Sequence, residues 1–485
     1  MNQRAIGGVL VLAAGRGLQM IALIATLRVA TGIMPPETLG YVAQTMSIVI
    51  LLCSMIVAPV NNYINRGLLG WFDAGVARQN LLRFSAFVAT AAIVSGLLVF
   101  LASSFTVIVG GLSASSLGIL TMLYVLGYSL YIASTGALNL LGYPLAYVGF
   151  GNLALWGGLG LAISFHAFSP GPVTWLLGLY LGYLIASSAF VRVLQHSRET
   201  SGQGSHCLPF TVHAVFAFAW PQILTALLWW TQSQSYRFIL GEVGGPAFVG
   251  LLVAGYTVCS GTMQAFEALF HEIYSPKLYR SLADQGQAGL AKTWNEYASA
   301  YLPAVVLFGA FLLGMAPILA KVLLAEQYHG IIPILFLQAL TEILRASATA
   351  LYTMGVAKLD MRVIVPPVLV GAVLSPVLVY VLGSVDSLLG TAVGMFLAYL
   401  AVLLVVIPVS RRTLPVRWPI GRILGAALVG LPMIIVGQLL PTALGATLAV
   451  SLLLLAAAVL YMLGAQYALA RPWLGQTVRL GKERQ

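Results

Sequence analysis

Two stretches of this chain, RVATGIMPPETLG at Arg28–Gly40 and RFILGEVGGPAFVG at Arg237–Gly250, share one spacing of turn residues. Each has an arginine, a glycine four residues later, then a proline, and a second glycine four residues beyond that proline. A second pair, ALNLLG at Ala137–Gly142 and ALYTMG at Ala350–Gly355, follows in the same order, and all offsets lie between 209 and 213 residues. Although glycine and proline punctuate loops in any protein, two pairs in matching order predict a duplicated unit.

The composition predicts a membrane protein. Of the 485 residues, 60% are hydrophobic and only 8% are charged, whereas soluble domains have roughly 25% charged residues. Apolar segments long enough to cross a bilayer recur from end to end. They predict fourteen helices, since lipid-exposed backbone must satisfy its own hydrogen bonds, at residues 6–28, 39–60, 84–104, 113–136, 145–166, 172–192, 213–237, 247–271, 297–321, 329–354, 363–384, 388–409, 421–441 and 444–469.

The basic residues predict the orientation of these spans. With a cytoplasmic N-terminus, nineteen of the 24 Lys and Arg fall in inside loops or tails, and only Arg28, Arg237 and Lys321 fall outside. Both termini are therefore expected in the cytoplasm. Six spans separate the repeats, so both copies should cross in the same direction, and parallel repeats place a substrate path at their interface.

The expected domains are an N-terminal lobe at 1–195, a cytoplasmic linker at 196–210, a C-terminal lobe at 211–410, and two additional spans with a basic tail at 411–485. The linker region contains the most polar stretch, QHSRETSGQGSHCLP.

No enzyme signature is present in the sequence. None of the five lysines lies in a phosphate-binding G-x-x-x-x-G-K-[ST] loop. HEIYS at His271 lacks the second histidine of a zinc protease, and the three cysteines match no metal spacing. We therefore expect no enzyme activity, no cofactor and no metal. The net charge of +11 reflects cytoplasmic loops rather than nucleic acid binding.

Polar residues inside the spans are the candidate substrate-binding residues. Arg16 lies near the middle of the first span, where a charge is costly unless it faces water or a partner, and Gln19 lies one turn later on the same face. The alternative for Arg16 is an ion pair with a carboxylate of another helix that only fixes packing. Further candidates on or beside the first, fourth, seventh and tenth spans are Arg28, Tyr128, Asn139, Gln222, Trp229, Gln232, Tyr236, Arg237 and Arg345.

The candidates form polar stripes along several spans. These stripes predict a hydrated chamber, although polar residues in spans can also be simple interhelical contacts. Glu342 and Arg345 stand three residues apart and should pair, and Glu267 has His271 one turn later. The two acids are the ion-coupling candidates. The arginines of the predicted chamber would then outnumber its free acids, which favours an anionic substrate. Phosphate is suitable because its oxygens can accept two parallel hydrogen bonds from one guanidinium.

The run GRGLQMIALIATLRVATGIMPPETLGYV at Gly15–Val42 and the later NNYINRG, RFILGEVGGPAFVGLLVAGY and YTMGVAKLDMRV resemble polysaccharide transporters of the multidrug/oligosaccharidyl-lipid/polysaccharide (MOP) exporter superfamily. The resemblance implies an all-α polytopic protein with two six-helix lobes in a V, plus two C-terminal helices. It also implies alternating access, flipping of polyprenyl-diphosphate-linked glycans, and binding of the diphosphate by Arg16. The chain departs from the pattern at Tyr236, where relatives often have an acid.

We therefore expect a flippase for a lipid-linked oligosaccharide, an O-antigen or exopolysaccharide repeat unit, in the bacterial inner membrane. Its partners would be this substrate, the bilayer, and a polysaccharide polymerase with its chain-length machinery. The alternatives are a cation-coupled multidrug antiporter of the same superfamily, a lipid II flippase, or a scaffold for a polymerase.

Overall fold

The computed structural model describes residues 3–106, 109–196, 209–358, 364–413, 418–443 and 450–466. Within these ranges the regular structure is helical throughout. Thirteen helices are long and apolar enough to cross a membrane, and a shorter apolar helix at Val450–Gln466 coincides with the fourteenth predicted span. The chain is therefore an all-α polytopic membrane protein, as predicted.

The two loops with the shared spacing each start a helix at their proline. Pro36 is the first residue of one helix, and Pro246 is the first residue of another. Proline suits this position because its fixed φ fits the helix and its missing N–H would have no partner there. Gly245, just before Pro246, has φ 91°, a conformation that favours glycine.

The chain divides into two compact units, Met1–Trp230 and Thr231–Gln485. The helices that lie in the first unit, the last of which ends just beyond it, are α1 (Gln3–Ile33), α2 (Pro36–Leu52), α3 (Ala58–Asp73), α4 (Ala77–Phe105), α5 (Ala114–Leu140), α6 (Pro144–Asn152), α7 (Gly158–Phe168), α8 (Pro172–Ala186), α9 (Ala189–His196) and α10 (Val212–Gln234). Short π-helical turns at Cys53–Val57 and Leu153–Gly157 join α2 to α3 and α6 to α7. Each pair therefore forms one span.

The helices of the second unit are α11 (Tyr236–Val243), α12 (Pro246–Leu323), α13 (Leu335–Lys358), α14 (Val365–Gly383), α15 (Ser387–Thr413), α16 (Ile420–Ala443) and α17 (Val450–Gln466). A 3₁₀ helix at Glu326–Ile334 precedes α13. Gly286 interrupts α12 with φ 62° and ψ −147°, so α12 consists of two helices that meet at a kink. It contains two spans, Pro246–Ala268 and Gln285–Leu323.

The boundary between the two compact units lies inside α10, just after Trp230. In the first unit, the indole N–H of Trp230 donates to the Ser47 carbonyl oxygen over 2.8 Å. In the second unit, the Ser375 hydroxyl donates to the Gln232 carbonyl oxygen over 2.8 Å. The lobe limits at 195 and 211 and the repeat of six spans stay predictions.

Candidate functional site

Arg16 lies near the middle of α1, and its side chain is exposed on the surface of the first unit. Its Nη1 donates to the Gln19 side-chain oxygen over 3.3 Å. Its guanidinium carbon lies 5.5 Å from the centre of the Tyr147 ring on α6, within the range of a cation–π contact. A guanidinium placed in this way, between an amide and an aromatic face, can still offer N–H groups to an anion.

Gln19 is held against α6 because residue 151 is a glycine. A methyl group added at Gly151 would overlap the Gln19 side-chain amide, and the Tyr131 hydroxyl would lie 3.6 Å from that methyl group. The missing side chain therefore leaves the space in which the Gln19 amide sits beside Arg16. Gly149, two residues earlier on α6, has no atom within 4 Å of such a methyl group, so the gap at Gly151 is specific to that position.

A cluster of tyrosines extends from this position across α5 and α8, and we call it the tyrosine cluster: Tyr124, Tyr128, Tyr131, Tyr180 and Tyr183. Tyr124 and Tyr128 stack with ring centres 4.8 Å apart. The Tyr183 ring contacts the rings of Tyr128 at 5.2 Å and Tyr131 at 5.3 Å. Tyr124 and Tyr180 are buried, whereas Tyr128, Tyr131 and Tyr183 are half-buried.

The other predicted residues of the first unit lie on α1, α5 and α10. Arg28 and Asn139 are exposed near the ends of α1 and α5. The Gln222 side-chain oxygen accepts from the Asn62 amide over 2.9 Å, so α10 contacts α3 at this position. Trp229, further along α10, is exposed over 46% of its surface.

The seventh span, Val212–Val243, consists of α10 and α11, which meet at Ser235. Gln232 and Tyr236 are buried in the second unit. Gln232 packs its side-chain amide against Gly371 of α14. Arg237 lies over the Tyr236 ring at 5.6 Å, and its Nε donates to the Tyr236 hydroxyl over 3.3 Å. Gln232 and Tyr236 therefore have packing roles in addition to the predicted one.

The second unit contains a buried ionic cluster, which we call the acidic cluster: Glu267, Glu342 and Arg345. Arg345 donates from Nη2 to Glu267 and from Nε to Glu342, both over 2.9 Å. The Glu342 side chain is fully buried, and those of Glu267 and Arg345 are 15% exposed. The Tyr301 hydroxyl donates to the other Glu267 oxygen over 2.9 Å.

The predicted pairing of Glu342 with Arg345 is confirmed, whereas Glu267 bonds to Arg345 and Tyr301 rather than to His271, which is exposed. Glu267 of α12 reaches Arg345 of α13, a contact across two helices that spacing along one helix does not show. With both acids ionised, the acidic cluster has one negative charge in excess. Arg345 holds two carboxylates, so it has little capacity left for a substrate phosphate.

Sequence reasoning missed Tyr147 as a contact of Arg16, Gly151 as a contact of Gln19, and Tyr183 as a member of the tyrosine cluster. The tyrosines of α8, at positions 180 and 183, are spaced to lie on one face, which was a signal for a second wall of rings. Gly151 gave no such signal, because its importance depends on α1 lying against α6.

Comparisons with known proteins agree on one kind of fold. Residues 208–333 match a family model described as "Polysaccharide biosynthesis protein". The inward closed conformation of the lipid II flippase MurJ superposes with a TM-score of 0.67 at 13% identity, covering 97% of this chain and 100% of that chain. No curated protein matches the sequence.

Two transporters of the MOP superfamily also superpose. An inward-facing multidrug resistance MATE transporter gives a TM-score of 0.61 at 14% identity, over 81% of this chain and 94% of that chain. A MOP superfamily transporter from Pyrococcus furiosus, whose binding pocket is described as having reverse polarity, gives 0.53 at 13% identity, over 89% and 96%. At these identities the likeness concerns the fold.

Proposed function

Because the chain has the fold of the MOP exporter superfamily and a segment that matches a polysaccharide biosynthesis family, we propose that it is a lipid-linked oligosaccharide flippase. Its substrate is a polyprenyl-diphosphate-linked repeat unit of O-antigen or exopolysaccharide. The headgroup crosses the bacterial inner membrane to the outer leaflet by alternating access, with both termini of the protein in the cytoplasm. The observation that carries the proposal is the exposed Arg16 guanidinium in a membrane span, bonded to Gln19 and lying beside the tyrosine cluster.

Arg16 binds the diphosphate in this proposal. A charge inside a span is costly unless it faces a partner or a watery path, so such residues mark substrate routes. Guanidinium binds phosphate oxygens with two parallel hydrogen bonds, and the Gln19 amide fixes its orientation. Arg28 and Arg237, at the predicted outer side, give the anion further cationic contacts.

The tyrosine cluster holds the sugars. Tyrosine offers a flat apolar face and a hydroxyl at its edge, which match the C–H face and the hydroxyls of a sugar ring. Tyr128, Tyr131 and Tyr183 are half-buried, so part of each side chain remains accessible. Asn139, Gln222 and Trp229 are proposed as further polar and aromatic contacts along the route, and Gln232 and Tyr236 are proposed as substrate-binding residues of the second unit.

The acidic cluster couples transport to an ion. Its two carboxylates share one guanidinium, so uptake of one proton or one monovalent cation makes it neutral. The free energy of burying the cluster between packed helices differs between its neutral and its charged state. This assigns coupling to Glu267 and Glu342 and charge balance to Arg345.

A cation-coupled multidrug antiporter is the second candidate, favoured by the negative excess of the acidic cluster. A lipid II flippase is a third, because lipid II also carries a polyprenyl diphosphate and the MurJ structure covers nearly the whole chain. The cationic group beside the tyrosine cluster favours a diphosphate over an organic cation, and the family match at 208–333 favours polysaccharide synthesis over lipid II.

One reconstitution experiment separates these functions. The purified full chain is placed in vesicles with a fluorescent polyprenyl-diphosphate oligosaccharide, with fluorescent lipid II, or with a cationic dye, and transfer is measured with and without a proton or sodium gradient. Faster movement of the oligosaccharide lipid than of lipid II supports the proposal. Faster movement of lipid II assigns the chain to the sister function, and gradient-driven dye export with no lipid movement overturns the proposal.

A further inference from the structure

A cavity of about 830 Å³ lies within the second unit, between the second half of α12 and the start of α16. Its volume is in the range of ~300–1,000 Å³ that is typical of ligand sites. Lys292, Glu296 and Ser299 line it from α12, and Trp418 and Arg422 line it from the segment where α16 begins. None of these residues has a role in the proposed transport step.

The glycines of α16 explain why the cavity is at this end of the helix pair. Further along α16, a methyl group at Gly430 would overlap Ala310, and one at Gly437 would overlap the backbone of Gly314, so the two helices are in close contact there. At Gly421 and Gly425 a methyl group would meet no atom within 4 Å. The helices therefore pack closely through small residues in the middle and leave open space toward the N-terminus of α16.

The cavity has a cationic lining. The side chains of Lys292 and Arg422 are exposed, and Glu296 is the one acid among the residues that line the cavity, which leaves a net positive charge. Arg422 reaches across the cavity to the Ser299 carbonyl oxygen at 3.5 Å. The indole N–H of Trp418 is buried and has no acceptor among the described residues. Donors and positive charge together suit an anion.

The surface beside the cavity is apolar. Ile420, Leu424 and Leu428 follow at steps of four along α16, so they form one stripe, and all three are exposed. Lys292 on α12 and Arg422 on α16 lie near the ends of two spans, and the positive-inside rule predicts that these ends face the cytoplasm. We therefore expect the cavity at the boundary between lipid and cytoplasm, near the level of lipid phosphates, where tryptophan is common.

We propose that this cavity binds the phosphate headgroup of an anionic phospholipid of the cytoplasmic leaflet. Lys292 and Arg422 contact the phosphate, the Trp418 N–H donates to one of its oxygens, and the acyl chains lie along the stripe at Ile420, Leu424 and Leu428. Basic pockets between membrane helices on the cytoplasmic side are suited to such headgroups. The apolar stripe favours a lipid over free phosphate.

The test uses the full chain in vesicles that contain a small fraction of brominated phosphatidylglycerol or brominated phosphatidylcholine. Bromine on the acyl chain quenches a nearby tryptophan, and the difference between the native chain and Trp418→Phe isolates the signal of Trp418. We expect stronger quenching by the glycerol lipid. Equal quenching by both lipids would overturn the proposal.

Charge variants make the test specific. Lys292→Gln with Arg422→Gln should weaken the preference for phosphatidylglycerol by about fivefold for each charge removed. The matched control is Arg78→Gln with Arg83→Gln, which removes two exposed cations from the same predicted side of the membrane without touching the cavity. If the control pair has an equal effect, only the general surface charge matters and the site is refuted.

Filling the cavity without a charge change gives a second variant. Gly421→Leu has open space in which to fit and should reduce binding while the fold is kept, as measured by thermal unfolding.

Competition distinguishes the sources of phosphate. Millimolar inorganic phosphate that restores Trp418 fluorescence would assign the cavity to a free anion, and restoration by a polyprenyl diphosphate would assign it to the transported substrate; either result overturns the phospholipid assignment.

Discussion

Arg16 in the first unit is exposed and bonds to a neutral amide, whereas Arg345 in the second unit holds two carboxylates, one of them fully buried. Both arginines lie within membrane spans, yet their surroundings differ in sign and in access. The first lies beside half-buried tyrosine rings, and the second lies between two carboxylates. The two arginines thus differ in exposure and in the charge of their described partners, and we expect them to have different tasks.

The test of this comparison with the largest expected effect removes the Arg345 side chain and measures the stability of the protein. Arg345→Ala leaves two carboxylates close together and without their shared cation, and breaking a buried pair from one side costs about 3–5 kcal/mol. We expect a loss of this size in the free energy of unfolding, measured by denaturant titration in detergent.

The matched control is the triple variant Glu267→Gln, Glu342→Gln, Arg345→Met, which removes all three charges. It should be markedly more stable than Arg345→Ala, because neutral residues of similar volume need no ionic partner. It should also lose dependence on the ion gradient. Equal instability of both variants would show that packing rather than charge is responsible.

Arg16→Ala should act in the opposite way, with a small change in stability and a large loss of transport. A hydrogen bond to a charged group contributes about 1.5–3 kcal/mol, which corresponds to a decrease of about ten- to 150-fold in the flipping rate of the diphosphate lipid. Arg16→Lys should retain part of the rate, since it keeps the charge and loses the paired geometry.

In cells, Arg16→Ala should abolish surface polysaccharide while the protein still reaches the membrane. Arg83→Ala, an exposed arginine on α4, serves as the control and should leave export unchanged. Near-normal export by Arg16→Ala would remove the diphosphate-binding role.

The tyrosine cluster gives a smaller effect. Tyr183→Leu removes a ring that contacts both Tyr128 and Tyr131, and aromatic contacts of this kind contribute about 0.5–1.5 kcal/mol. We expect a two- to tenfold loss in affinity for the oligosaccharide lipid, measured by its concentration dependence in vesicles, with little change for a diphosphate lipid that lacks sugars. Tyr183→Phe keeps the ring and should retain most of the affinity. Equal losses for both lipids would exclude a role in sugar binding.

The sequence predicted the membrane class and the succession of spans because hydropathy is a local property. It predicted the Glu342–Arg345 pair for the same reason, since both residues lie on one helix. The role of Arg16 stays a prediction. The Glu267–Arg345 contact and the gap at Gly151 depend on which helices lie side by side, and no local pattern encodes that. Tyr147 escaped notice because a single tyrosine in an apolar span does not stand out until α6 is seen beneath Arg16.

The smallest effect concerns how Arg16 is oriented. Gly151→Ala would push the Gln19 amide away from its place, while Gly149→Ala on the same helix has open space and is the matched control. Because Gln19 is the far end of a flexible side chain, the fold should keep its stability, and losing one hydrogen bond of about 0.5–1 kcal/mol should slow flipping about two- to fivefold. Gln19→Ala should have a similar effect, and the double variant should be no worse than either alone, since both changes remove one contact. Additive losses in that cycle would mean that Gly151 acts through another neighbour, such as Tyr131, rather than through Gln19.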